Sequence, residues 1–245
     1  MTAPAAIAEF VESFPEFAVI AEDRKSTTLE GNYRLYAEHD GILLSEDYRL
    51  EIVVPSDYPL TIPTVFETSG RIPPDYEHKY ENGALCLGID GEIASSLSSD
   101  SSLADFLEGY VRDALYSAKF FSRYGRYPFG DREHGSAGIL AYYAEAFGVK
   151  SEEALGILEC IAVGKYRGHL ECPCGSGLKG RDCHGKAIIA AIQDPARRRA
   201  AAADFERVAI ERKIMRMAAA NRRAIMLSLS QSHIERIRRP SAKGN

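Results

Sequence analysis

The spacing of apolar residues changes period twice within the first seventy positions. Ile7, Phe10, Val11 and Phe14 recur at helical spacing, and Pro15 closes that pattern. Two alternating runs follow. NYRLYAEH sets Tyr33, Leu35 and Ala37 against Arg34, Tyr36 and Glu38, and YRLEIVVP sets Tyr48, Leu50, Ile52 and Val54 against Arg49, Glu51 and Val53. A period of two predicts strands with one buried face. After prolines at 55, 59 and 63, TVFET predicts a last short strand. From Ser69 to Ser102 no period is visible, and a loop of that length in a compact domain is usually functional or disordered. Ser102, with Asp105 three residues on, predicts the N-cap of a second helix. Leu103, Phe106, Leu107, Tyr110, Val111, Ala114 and Leu115 give that helix one broad apolar face. The order is helix, antiparallel meander, cysteine-bearing loop, helix, which is an α+β plan with helices against one sheet.

The second half reads as helical. AGILAYYAEAFG and SEEALGILECIAV dominate residues 128–168, and Arg and Ala dominate from Ala187 to Arg239. Phe205, Val208, Ala209, Ile214, Met217, Ala218, Ile225 and Leu229 approximate a helical stripe opposite the arginines, whose usual meaning is a solvated charged face. There is no internal repeat. No apolar run approaches the ~18 residues that would span a bilayer, so no membrane partner is expected. The start, MTAPAAIAEFVESF, is acidic and lacks the basic-then-apolar order of a signal peptide, so the expected location is cytoplasmic.

Charge divides the chain. Its 245 residues carry a net charge of −5, yet residues 186–245 hold 14 Lys and Arg against 5 Asp and Glu, a net of +9. Residues 1–185 are correspondingly acidic, at −14. A basic segment on an acidic body can contact nucleic acid, an acidic partner or its own body. Set apart in sequence from the cysteine-bearing loop, it is expected to serve partner or target binding and to be dispensable for chemistry there.

Five cysteines, an odd number with three inside twelve residues, predict metal ligands and free thiols in a reducing compartment, not a disulfide framework. In HLECPCGSGLKGRDCHG, Cys172, Cys174, Cys183 and His184 form a Cys₃His set, and the Gly175-Ser176-Gly177 turn lets backbone N–H groups point at the thiolates. Such a set is closed and tetrahedral, which predicts a structural Zn²⁺ with no position left for a catalytic water. The stretch resembles the SEC-C motif at the C-terminus of the SecA translocation ATPase. His169 falls outside the ligand spacing, and Cys160 sits in an apolar helical context that predicts core.

The remaining cysteine lies in HKYENGALCLG, residues 78–88, just after an Asn-Gly turn signal. By residue type Cys86 is either a small buried apolar residue or a nucleophile at the surface. This stretch and the strand before it resemble the ubiquitin-conjugating enzyme family. Tyr58, Pro59, Ile62 and Pro63 stand where family members carry Tyr-Pro-x-x-Pro-Pro, and Asn82, Gly83, Leu85, Cys86 and Leu87 match Asn-Gly-x-Ile-Cys-Leu. The resemblance covers roughly residues 1–125. It implies a four-stranded antiparallel meander with flanking helices. It also implies that Cys86 accepts a ubiquitin-like modifier as a thioester from an activating enzyme and passes it to a protein target. Two departures stand out. Position 78 is histidine where the family's His-Pro-Asn asparagine stands, and the chain has no tryptophan. In this it looks like the divergent bacterial relatives that carry a Cys plus a His.

The candidate catalytic set is therefore Cys86, His78 and Asn82. His78 is a candidate to take a proton from an incoming amine or to stabilise the oxyanion, and Asn82 acts chiefly as a turn former. His134, in FGDREHGSAG, is a further candidate. The expected organisation is a conjugating-enzyme-like domain over 1–127, a helical linking region over 128–168, a zinc knuckle over 169–185 and a basic helical tail over 186–245. The competing function is a non-catalytic scaffold that uses knuckle and tail for docking. A nucleic-acid binder led by the tail is weaker, because the body is so acidic.

Overall fold

Alternation in the first sixty residues produces one long hairpin. The computed structural model describes residues 2–74, 76–97, 101–129 and 135–238, with side chains through Met217. In β2 (Ser26–His39) and β3 (Ile42–Pro55) the pairing runs unbroken from Ser26 opposite Pro55 to His39 opposite Ile42. Asp40 and Gly41 turn it with φ of 48° and 75°, the left-handed pair that matches strand twist. With β1 (Phe17–Glu22) and β4 (Thr64–Glu67), these strands make a sheet of order β1-β2-β3-β4, antiparallel throughout. The expected α+β plan holds. Strand β1 left no alternation in the sequence because only Phe17 of its six residues is buried.

Helix α1 (Ala3–Ser13) lays Ala6, Ile7 and Phe10 on the sheet. The predicted N-cap is present: Ser102 Oγ accepts from Asp105 N at 3.1 Å, and Asp105 Oδ2 accepts from Ser102 N at 2.9 Å. It starts α3 (Leu103–Phe106), which runs through a π-helical turn (Leu107–Val111) into α4 (Arg112–Tyr124). Leu103, Phe106, Leu107, Val111 and Leu115 are fully buried against the sheet.

The expected structureless loop from 69 to 102 is corrected. Leu85 N donates to Val65 O at 2.8 Å, Lys79 bridges Leu85, and a short helix α2 (Asp90–Ser96) follows. Each piece is too short to print a period.

A second apolar core forms from α5 (Gly135–Phe147), α6 (Ser151–Val163), α7 (Gly185–Gln193) and the first turns of α8 (Pro195–Arg238). Ile157, Leu158, Ile188 and Val208 are buried there, and so are Cys172 and Cys174. The stripe expected along the basic helix is buried only in part. Val208 is fully enclosed and Phe205 half-buried, but Ala209 is exposed, as is every side chain from Lys213 to Met217. Ala218, Ile225 and Leu229 lie outside the described side chains. No helix among the described residues is long and apolar enough to cross a membrane.

One buried charged group ties α2 to the second core. Asp204 on α8 has 0% exposure, and its Oδ2 accepts from Gly91 N at 2.9 Å and from the Tyr143 hydroxyl at 3.1 Å. It thereby caps the first turn of α2 from a helix 113 residues away in sequence. Arg207, one turn along α8, donates to Asp90 Oδ2 at 3.0 Å and lies 3.7 Å from Asp204 Oδ1. A Cβ at Gly91 would collide with the Tyr143 hydroxyl, so α2 seats here only with glycine at that position. Arg199 pairs with Asp57 and donates to Thr61 Oγ1 at 2.9 Å, anchoring the same helix to the proline-rich turn, whose Tyr58–Pro59 peptide is cis.

Burial, with Asp90 nearby, pushes the Asp204 carboxyl up to about 6 despite Gly91, Arg207 and Tyr143. A carboxyl whose pKa is raised by folding contributes its stability in full below its ordinary pKa and loses it as pH rises through the raised value. Wild type should therefore lose stability relative to Asp204→Asn between pH 4 and pH 7. Thermal melts should show the difference in Tm shift by on the order of 5 °C. A difference that stays constant across that range would remove Asp204 as the titrating group.

Candidate metal centre and thiol cleft

Two constellations carry chemistry. The first is the knuckle. Cys172 N donates to Leu178 O at 2.7 Å, Gly175 N to Cys172 O at 3.0 Å and Cys183 N to Gly180 O at 3.1 Å, which folds the stretch tightly back on itself. The four predicted ligands, Cys172, Cys174, Cys183 and His184, converge with their ligand atoms within 4.8 Å of one another, close enough to hold a metal ion. Cys174 Sγ lies 3.7 Å from Cys183 Sγ, and His184 Nδ1 lies 3.2 Å from Cys183 Sγ and 3.5 Å from Cys172 Sγ. Ser176 Oγ lies 3.5 Å from Cys183 Sγ. Burial pushes the Cys172 thiol up. Burial acts the same way on Cys174, but hydrogen bonds from Ser176 and the neighbouring thiols outweigh it and bring that thiol down to about 6. The knuckle is not a detached bead. A Cβ on Gly156 of α6 would press on Pro173 O at 2.5 Å, so helix and knuckle are in direct contact.

The second constellation surrounds Cys86. Cys86 N donates to His78 O at 2.9 Å, and Tyr80 N donates to Ala84 O at 2.8 Å. The two segments form a small hairpin with His78 directly across from Cys86 and Tyr80 on the neighbouring diagonal. Its tip is an Asx turn. Asn82 Oδ1 accepts from Ala84 N at 3.1 Å, and Gly83 takes φ of 87°. Asn82 lines a recess beside Pro63 and Thr64, whereas Cys86 and His78 line a larger cleft. Sequence placed the three residues together as a candidate set; the structure brings Cys86 and His78 together and gives Asn82 the turn. After Cys86, Gly88 takes φ of 136°, a conformation open to glycine, and lets the chain swing into α2.

The cleft has a volume of about 820 Å³. One wall is the hairpin and another is the π-helical turn and the start of α4, through Tyr110, Asp113 and Ser117. The third comes from the C-terminal core, with Ile139 of α5 and Arg207, Ile210 and Ile214 of α8. The basic helix is thus not set apart from the cysteine in space. Sequence reasoning missed both this wall and Tyr80. The signal that could have found the wall is Asp204, an acidic residue on the apolar side of an arginine-rich helix.

Cys86 is half-exposed at this cleft. The His78 ring sits edge-on to Tyr127 at 4.7 Å and 5.4 Å from Tyr76, and Tyr127 stacks on Phe121 at 4.7 Å. That aromatic cluster ties the hairpin to α4. The Tyr80 ring lies under the Arg207 guanidinium at 5.2 Å, and Tyr80 and Cys86 line the cleft together. The rim is acidic: Glu77, Glu81, Glu92, Asp113 and Glu211 face Lys79 and an Arg207 already paired with Asp90. Cys160, expected in the core, is partly buried, with its thiol donating to Lys165 O at 2.9 Å. His134 lies outside the described residues.

Metal analysis of the purified protein should find about one ion per chain bound by the Cys₃His set. A Cys172→Ser/Cys174→Ser variant should lose it and melt earlier, because the same thiols lie in the second core. Near-stoichiometric metal retained in that variant would refute the four ligands.

No family model, curated protein or solved structure matches the chain.

Proposed function

We propose that the chain is a cysteine-dependent carrier that accepts a ubiquitin-like protein as a thioester on Cys86 and transfers it to a target amine. The observation that carries this reading is the position of Cys86: half-exposed, on a hairpin, across from His78, lining a cleft of about 820 Å³. A four-stranded meander followed by that hairpin and a helix is also the order implied by the resemblance to ubiquitin-conjugating enzymes.

The chemistry has two steps. In loading, the Cys86 thiolate attacks the carbonyl carbon of an incoming thioester, and the donor's thiolate leaves. In transfer, an amine attacks the new thioester and must shed a proton as it does so. His78, across the hairpin from Cys86, would take that proton, directly or through water. The acidic rim favours a cationic acceptor such as a lysine over an anionic one. The Cys₃His set suits zinc: with Zn–S bonds of about 2.3 Å, a tetrahedron has sulfur–sulfur edges of about 3.8 Å. The Cys174–Cys183 separation of 3.7 Å fits that geometry. Bound there, zinc would hold the knuckle closed against α6. Free thiolates and a thiol nucleophile both suit a reducing cytoplasm.

A second reading, the non-catalytic scaffold, draws on the packing of His78 among aromatic rings and on the lack of a His-Pro-Asn motif. The tail as a nucleic-acid site is less favoured, because Arg199 and Arg207 are already paired with Asp57 and Asp90.

Mixing the chain with a ubiquitin-like protein and an activating enzyme should give a reducible adduct on Cys86. Cys86→Ala should abolish the adduct, and Cys86→Ser should leave at most a slower ester. An Ala variant that still loads would sink the carrier reading in favour of the scaffold. With preloaded protein, His78→Ala should discharge to lysine on the order of 10²-fold more slowly while loading almost normally. Unchanged discharge would return His78 to a packing role.

A further inference from the structure

Thioester aminolysis builds a negative oxygen beside the sulfur, and an active site needs a donor aimed there. Two of the candidate side chains have other tasks. Asn82 is held in its turn by Ala84 N, and it lines the neighbouring recess. His78 is placed across from Cys86 with its ring set against Tyr127. Tyr80 is different. The hairpin register puts it on the diagonal next to Cys86, a separation that an aromatic side chain can bridge. Both residues line the same cleft.

We propose that Tyr80 is a catalytic residue that donates its hydroxyl to the oxyanion of the Cys86 acyl group, and that Arg207 positions it from α8. This deepens the carrier reading of Cys86 and rests on it. In the step itself the amine lone pair adds to the thioester carbonyl carbon, and the C=O π pair moves onto oxygen. The Tyr80 O–H donates to that oxygen without giving up its proton. Collapse re-forms C=O, breaks the C–S bond and returns the electron pair to Cys86 as thiolate. The ammonium proton leaves to His78 or to water.

Three features suit Tyr80 to this role. Although 37% of its surface is open, burial of the phenol and the adjoining Cys86 push its pKa well above the ordinary tyrosine range, so it stays a neutral donor across physiological pH. The guanidinium over its ring restrains the side chain through a cation–π contact. Arg207 cannot itself turn to the thioester without leaving Asp90, to which its Nη2 donates at 3.0 Å. The C-terminal core would thus take part in the chemistry through one arginine.

The test uses the full-length, metal-loaded chain and a small acyl probe, so it does not depend on finding the modifier. p-Nitrophenyl acetate would acylate Cys86, and discharge to n-butylamine would be followed by mass spectrometry of the Cys86 peptide. Tyr80→Phe should discharge roughly 10- to 100-fold more slowly, with an unchanged pH profile. Its alkylation by iodoacetamide, a displacement that forms no oxyanion, should stay at the wild-type rate, and so should its Tm. Arg207→Lys keeps a cation but loses the fork that holds Asp90 and Asp204, and should show a smaller loss of the same kind. Wild-type discharge rates in Tyr80→Phe would overturn the assignment while leaving the carrier reading intact. A loss of alkylation rate equal to the loss of discharge would also overturn it, because Tyr80 would then be acting on the thiol alone. A wild-type Cys86 that neither acylates nor discharges would count against the carrier reading itself.

Discussion

A carboxylate removed from water has to find its hydrogen bonds inside the protein, and Asp204 finds them for Oδ2 on α2 and α5, while Oδ1 has only the Arg207 guanidinium 3.7 Å away. Stranding such a charge costs several kcal/mol. Gly91 N, the Tyr143 hydroxyl and Arg207 offset part of that penalty, and burial still pushes the carboxyl's pKa up. The geometry that holds Asp204 also ties α2, α5 and α8 to one another. Because α2 begins four residues after Cys86, the same contact sets where the thiol hairpin ends. Because Arg207 lies one turn from Asp204, it sets which face of α8 looks into the cleft.

The candidate metal centre enters this arrangement through the second core. Cys172 and Cys174 are core residues as well as candidate ligands, and α6 rests directly on the knuckle. Metal binding at such a site is folding energy. That energy is shared with the helices that present Tyr143 and Arg207. The knuckle is therefore coupled to the thiol cleft by packing, even though no ligand comes near Cys86.

Period-two alternation in β2 and β3, the Ser102 cap and the Cys₃His spacing were all legible in the sequence, because each is encoded within a dozen residues. Helix α2 was not, since seven residues carry less than two full helical turns of pattern. Strand β1 was hidden by its exposure. The cleft was legible only on one side. Cys86 and His78 were marked by the turn around Gly83, whereas Tyr80, Arg207 and Ile210 acquire meaning only through a contact that spans more than a hundred positions. Local chemistry shows in the pattern of residue types; a wall borrowed from a distant helix does not.

That distance has a consequence for synthesis. The chain emerges from the ribosome N-terminus first, and domains fold largely as they appear. The sheet, α1 and the thiol hairpin can therefore be complete while α8 is still unmade, for Asp204 follows Gly91 by 113 residues. During that interval Cys86 stands on a folded surface with one side of its cleft missing and the first turn of α2 uncapped. The cleft closes only when the basic helix arrives, so a nascent chain carries a reachable thiol before it carries the wall that encloses it.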